Sequence, residues 1–283
     1  MDGHPTQHGN DMKTTLSKVR RSAGRLRHRW SLPYASFSRL PAGGSVSDLF
    51  LWRGDIEGTR FIAENTLALL TAEPIEVIHR LTFFDEEGQP FHQSESSTRD
   101  LYKTIDPGDI GLSLGTFIHS TFYDSDSLSS ETRRLLDLQR AHRGYCQYRR
   151  QKDSIWSSVH GNLGGITSTA DLNSHNHRLL ARSRRPFLYT PQYHIRAKQT
   201  VILFFLNPCR EDAAISIFRC HSEKGASQGE PLQMLQVPSL GVRNCEVKGL
   251  EGYVTCHSRL PMCRPIIFIQ DDCNHHHFDV FHT

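Results

Sequence analysis

The chain has 283 residues, enough for one large domain or two of ordinary size, each with its own core. Apolar residues make up 37% and mean hydropathy is −0.48, which assigns part of the chain to loop or tail; no run approaches the roughly 18–20 apolar residues of a membrane span. The net charge of +3 is uneven: residues 1–30 carry seven Lys or Arg against Asp2 and Asp11, which is +5 and leaves −2 for the body.

Residues 1–29 hold few apolar side chains; Leu16, Val19 and Ala23 form too narrow a stripe to fold alone. The expectation is a disordered basic arm that attracts an anionic membrane, nucleic acid or an acidic partner by charge. The first thirty residues lack the apolar core of a secretory signal, and Asp2 and Asp11 disfavour a mitochondrial presequence. Seven cysteines, one before residue 200 and none in a CxxC pair, read as free buried thiols of a reducing compartment. A cytoplasmic location follows as an expectation.

From Trp30 the texture changes to short β-like runs, "LFLW", "FIAENTLALL" and "IEVIHRLTFF". In the last, Ile75, Val77, His79 and Leu81 alternate against Glu76, Ile78, Arg80 and Thr82, the period of a strand. "DEEGQP" closes it as a hairpin turn around Gly88, and two more strands flank "DPGD". Between Ser125 and about Lys152 the alternation stops. Ser129 or Ser130 caps, Glu131 enters the first turn, and Leu135, Leu138, His142 and Tyr145 recur at helical spacing; Gly144 argues against one rigid rod. A Gly-, Ser-, Asn- and His-rich connection follows. Strand texture returns at Tyr189 with "YTPQYHI", "TVILFFLNP", "AAISIFRCHSEKG", "LQMLQVPSLG", "GYVTCHSRLP" and "PIIFIQ".

Two stretches repeat one another. Asn65–Gly88 and Gln199–Gly225 each run apolar strand, Pro turn, alternating strand and charged turn ending in Gly, with Thr66 and Thr200 eight residues before Pro74 and Pro208. Each copy continues through a second Pro turn to a strand with a His-Ser pair, aligning His119 with His257. The fold expected is all-β: two tandem antiparallel β-sandwich units, 30–124 and 189–283, joined by a helical, Gly/His-rich connection over 125–188 and preceded by the arm at 1–29. The turn placement of "TVILFFLNPCREDAAISIF", "QVPSLGV" and "YVTCHSRLP", over Gln199–Gln270, resembles the β-sandwich family of sensory-rhodopsin transducer proteins. That resemblance implies an oligomerising, non-enzymatic sandwich that binds a partner or small ligand. It carries over no functional residue.

Three constellations bear on chemistry. At the end, "DDCNHHHFDVFHT" would place His275, His277 and Asp279 on one strand face, a donor set that suits Zn²⁺ or Fe²⁺, with His160 folding over. One strand does not close a coordination sphere, and HExxH, CxxC and EF-hand spacings are missing. A closing strand packed through Phe278 and Val280 is therefore preferred, and no cofactor is predicted. In "SIWSSVHGNLGG", Trp156, His160 and Asn162 are candidates to hold a sugar or base, although the loop lacks P-loop and dinucleotide spacing. "RLRHRW" and "RSRRPF" put arginines beside aromatics, a phosphate-gripping composition. The leading expectation is a non-enzymatic binding or adaptor protein that self-associates or takes a protein partner, its ligand in a cleft between units or on the His119 and His257 strands. The alternatives are a metal-dependent enzyme and a carbohydrate- or nucleic-acid-binding module.

Overall fold

The computed structural model describes residues 45–124, 126, 128–138, 144–152, 155–161, 166–168, 177–183, 186–191, 193–220, 229–260, 264–271 and 278–281. The arm over 1–29 lies outside them. In the first half the elements are β1 (Ser45–Ser47), β2 (Leu49–Arg53), β3 (Gly58–Glu64), α1 (Thr66–Thr71), β4 (Val77–Asp85), β5 (Pro90–Thr98), β6 (Tyr102–Ile105), β7 (Leu114–Tyr123), α2 (Ser130–Leu138), β8 (Gly144–Arg149) and β9 (Ser157–His160). Next come β10 (Ile166–Ser168), β11 (His177–Arg178) and β12 (Phe187–Tyr189). The second half is β13 (Gln199–Leu206), β14 (Ala213–Cys220), β15 (Glu230–Val237), β16 (Val242–Lys248), β17 (Tyr253–Ser258), β18 (Ile266–Asp271) and β19 (Phe278–Phe281).

These strands form four four-stranded sheets: I, β2-β7-β4-β5; II, β6-β3-β8-β9; III, β12-β17-β14-β15; and IV, β16-β13-β18-β19. A three-stranded sheet, β1-β10-β11, stands beside them. All pairings within them are antiparallel. In number and width of blades this is a four-bladed β-propeller arrangement, not the expected tandem β-sandwich units. Its blades are not successive hairpins: each sheet draws strands from distant parts of its half. The connectivity occurs twice, since sheets III and IV repeat the strand orders of I and II ten labels later.

The packing of sheet IV explains the correction. One face presents Phe204, Leu206, Ile266, Phe268 and Val280 to a core that also holds Trp52, Phe61 and Tyr148 of the first half. Its other face buries Val201, Leu203, Phe205, Ile267 and Ile269 against Ile215, Ile217 and Cys256 of sheet III. The halves therefore share a core layer where a ligand cleft was expected. Phe268 meets Tyr148 edge-on at 5.1 Å, and the Arg53 guanidinium lies 4.7 Å and 5.0 Å from the Phe204 and Phe268 ring centroids. The apolar runs of β13 and β18 are what a strand needs when both its faces are covered.

The stretch expected to be a helical connection also contributes strands. Ser129 Oγ accepts from Thr132 N at 3.1 Å and opens α2, which ends at Leu138. Gly144 then begins β8, where a Cβ would stand 2.1 Å from the Phe61 ring. β8 and β9 complete sheet II, and β12 edges sheet III. "FIAENTLALL" divides at Asn65, whose Oδ1 accepts from Ala68 N and whose Nδ2 donates to Ile75 O at 2.7 Å. Thr66 is thus helical where its sequence match Thr200 lies in a strand. The β4–β5 hairpin forms around Gly88 at φ +77°. Its turn seats on the second half, where Glu86 O accepts from Val242 N at 3.2 Å. Among the described residues no helix is long and apolar enough to cross a membrane.

Candidate functional site

β4 and β7 end together, with Val77 opposite Tyr123 and Ile78 opposite Phe122. Alternation turns Val77, His79, Leu81 and Phe83 inward and leaves Ile78 and Phe122 on the outer face. The chain reaches β4 through Glu73-Pro74-Ile75-Glu76 and leaves β7 through Asp124 towards α2. Leu67, Ile75 and Leu128 pack with Tyr123 and hold these approaches together. Between them opens a groove of about 640 Å³, lined by Glu73–Glu76, Ile78, Arg99, Phe122, Tyr123, Asp124 and Leu128.

Its floor is apolar: Ile75, Phe122 and Leu128 are buried and Ile78 half-buried. The Arg80 guanidinium stacks 4.7 Å from the Phe122 centroid and donates to Glu95 at 2.7 Å, fixing that ring from below. The rim is acidic. Glu73, Glu76 and Asp124 are exposed, and Arg99 pairs with Glu76 at 2.9 Å. Tyr123 Oη accepts from Leu67 N at 3.4 Å; burial pushes its phenol up to about 12, so it stays neutral at physiological pH. Carboxylates over an apolar floor attract an apolar body that bears a cation.

The sequence candidates fall elsewhere. His119 is fully buried between sheets I and II, its Nε2 3.0 Å from Nδ1 of the equally buried His79. Burial first, and Lys103 second, lower the His79 pKa to about 4 and keep this imidazole neutral at pH 7. His257 is exposed on β17. The sequence match is off by one residue: in β17 the inward positions are Val254 and Cys256, and a one-residue shift exchanges faces.

Trp156 is engaged by its own chain. The Arg60 and Arg149 guanidiniums lie 4.0 Å and 4.6 Å from its ring centroid, and a Cβ at Gly58 would stand 2.8 Å from the indole. His160 is exposed at the end of β9, with Nδ1 2.9 Å from Gly161 O, while Asn162 lies outside the described residues.

The metal reading is corrected as well. His275 and His277 lie outside the described residues, and Asp279 is exposed on β19, accepting from Val280 N at 2.8 Å. β19 does run beside β9, the strand of His160. Yet among the described residues no three His, Cys, Asp or Glu side chains converge on a point that would hold a metal ion. Val280 packs into the shared core as expected of a closing strand, and the side chain of Phe278 lies outside the description.

Sequence reasoning missed the groove because its two walls lie some fifty residues apart and carry no motif. The available signal was two acids flanking Pro74 immediately before the alternating strand. No protein-family model and no curated protein matches the chain. With the four-sheet arrangement in place of a sandwich, the resemblance of Gln199–Gln270 to sensory-rhodopsin transducers does not stand, and the site rests on its own geometry.

Proposed function

We propose that the protein recognises a peptide segment carrying arginine or lysine between apolar side chains, and that it does so in the groove at the end of β4 and β7. The observation that supports this is the coincidence of an apolar floor, from Ile75, Ile78, Phe122 and Leu128, with the three rim carboxylates of Glu73, Glu76 and Asp124. The apolar floor supplies affinity at roughly 25 cal/mol per Å² removed from water. The rim supplies charge selection and a salt-dependent approach. This places recognition on the first half, away from the packed layer between halves.

A fluorescent Leu-Arg-Leu-Arg-Leu peptide tests it by anisotropy against a Leu-Glu-Leu-Glu-Leu counterpart. The arginine peptide binds, and Glu73→Lys with Asp124→Lys weakens it at least about tenfold, one tenfold step being about 1.4 kcal/mol. The exposed control Glu251→Lys leaves binding unchanged. Equal binding of both peptides, or equal weakening by the control, would sink the proposal.

A further inference from the structure

Two matching irregularities fix which residues of the two halves correspond. β4 slips against β5 between Phe83 and Phe84, where Phe84 faces Pro90; β14 slips against β15 between Ile217 and Phe218, where Phe218 faces Pro231. Counting back eight residues from Phe83 and from Ile217 pairs Ile75 with Cys209. Pro74 then corresponds to Pro208, and Glu76 to Arg210.

In the second half this stretch of backbone is occupied. Leu180 is buried and forms a parallel bridge with Cys209. Its N donates to Pro208 O and its O accepts from Arg210 N, both at 3.0 Å. In the first half the matching acceptor and donor, Pro74 O and Glu76 N, have no hydrogen-bond partner among the described residues. Both groups belong to the segment that walls the groove, beside the floor of Ile75, Ile78, Phe122 and Leu128. An unpaired carbonyl and an unpaired amide on either side of one residue are the socket that a further extended segment fills.

We propose, resting on the peptide-recognition reading of the groove, that the bound peptide joins it as a short strand parallel to Pro74–Glu76. An aliphatic residue stands opposite Ile75, donates its N–H to Pro74 O and accepts from Glu76 N, as Leu180 does beside Cys209. Its side chain shares the face of Ile75. A parallel course carries the preceding peptide residues towards Glu73, whose carboxylate has no partner among the described residues, and the following ones past Glu76, already paired with Arg99 at 2.9 Å. The groove therefore takes a basic residue ahead of the aliphatic one. The reverse order sends the cation to the end where Arg99 stands.

The Leu-Arg-Leu-Arg-Leu peptide reads the same in both directions and is blind to polarity. Two end-blocked peptides of one composition are not: Ser-Arg-Ala-Leu-Ala-Ser-Ser and its reversal, Ser-Ser-Ala-Leu-Ala-Arg-Ser. By anisotropy the first is expected to bind the full chain at least about tenfold more tightly, and Glu73→Gln to bring it down to the level of the second. N-methylation of its leucine, which deletes the N–H given to Pro74 O, weakens it at least about tenfold. N-methylation of the next alanine, whose N–H points away from the bridge, does not. Equal affinity for the two orders, or no loss on N-methylating the leucine, overturns the parallel strand while recognition of Leu-Arg-Leu-Arg-Leu stands. Binding of none of these peptides overturns the recognition reading, and the strand with it.

Discussion

Between sheets I and II, the mid-strand layer sets His79 against His119; at the same level above sheet IV, sheet III offers Ile215, Ile217 and Cys256. At the strand ends the contrast recurs. The first half opens a groove before β4, and the second is filled there by Leu180. One connectivity thus carries two fillings: an aliphatic interior with a plugged end, and a polar pair with an open one. Aliphatic packing costs nothing to keep neutral, whereas a buried imidazole pair ties stability to pH. The lesson is that repetition of strand order leaves each copy free to specialise at its inner layer and at its strand ends.

The largest expected effect tests whether the two halves are one cooperative body. Phe268 touches Tyr148 of sheet II, Phe204 of its own sheet and the guanidinium of Arg53 from sheet I. Phe268→Ala leaves a void in that layer, and removal of a buried phenylalanine costs about 3–5 kcal/mol. Urea unfolding followed by fluorescence and by circular dichroism should move as a single transition. Two separated transitions, or a loss under about 1 kcal/mol, would mean that the halves stand independently.

How far this division was legible in the sequence depends on the strand. In β4 the alternation of Val77, His79 and Leu81 against Ile78, Arg80 and Thr82 gave the strand and its two faces, but not which face is inward, since Arg80 and Thr82 are buried as well. In β13 and β18 the runs "TVILFFL" and "PIIFIQ" read as strands, but that both their faces are covered depends on contacts across more than a hundred residues, such as Phe268 with Tyr148. His119 and His257 were aligned by a shared dipeptide, and the error of one residue put one of them in solvent. The groove was not legible at all, since Ile78 and Phe122 meet only through the β4–β7 register. No local period encodes that pairing.

The second test sharpens the contrast between inner layers by acid. An unfolded histidine takes a proton near pH 6.5, whereas His79 in the fold resists protonation down to about 4. Above pH 6.5 the group is neutral in both states and contributes no pH dependence. As pH falls from 6.5 to 4 the unfolded state gains the proton first, so the native state loses stability, by about 3 kcal/mol in total. Hydrogen exchange should show the amides of β4 and β7 opening over this window while those of β14 and β17 hold until later. His79→Phe removes the window. An identical acid response in that variant would assign the titration to other groups.

The third and smallest test breaks the contrast between strand ends. Leu180→Ala removes the plug side chain from the second half, and at an edge that relaxes the cost is near the low end for such truncations, about 2 kcal/mol. The amides of Leu180, Ser183 and Arg210, which hydrogen-bond across this seat, should exchange faster, while those around Asn65 and Ile75 do not change. A loss near zero at Leu180 would mean that the leucine side chain does not hold this seat, and the contrast between the strand ends would then rest on the backbone hydrogen bonds of Leu180, Ser183 and Arg210 alone.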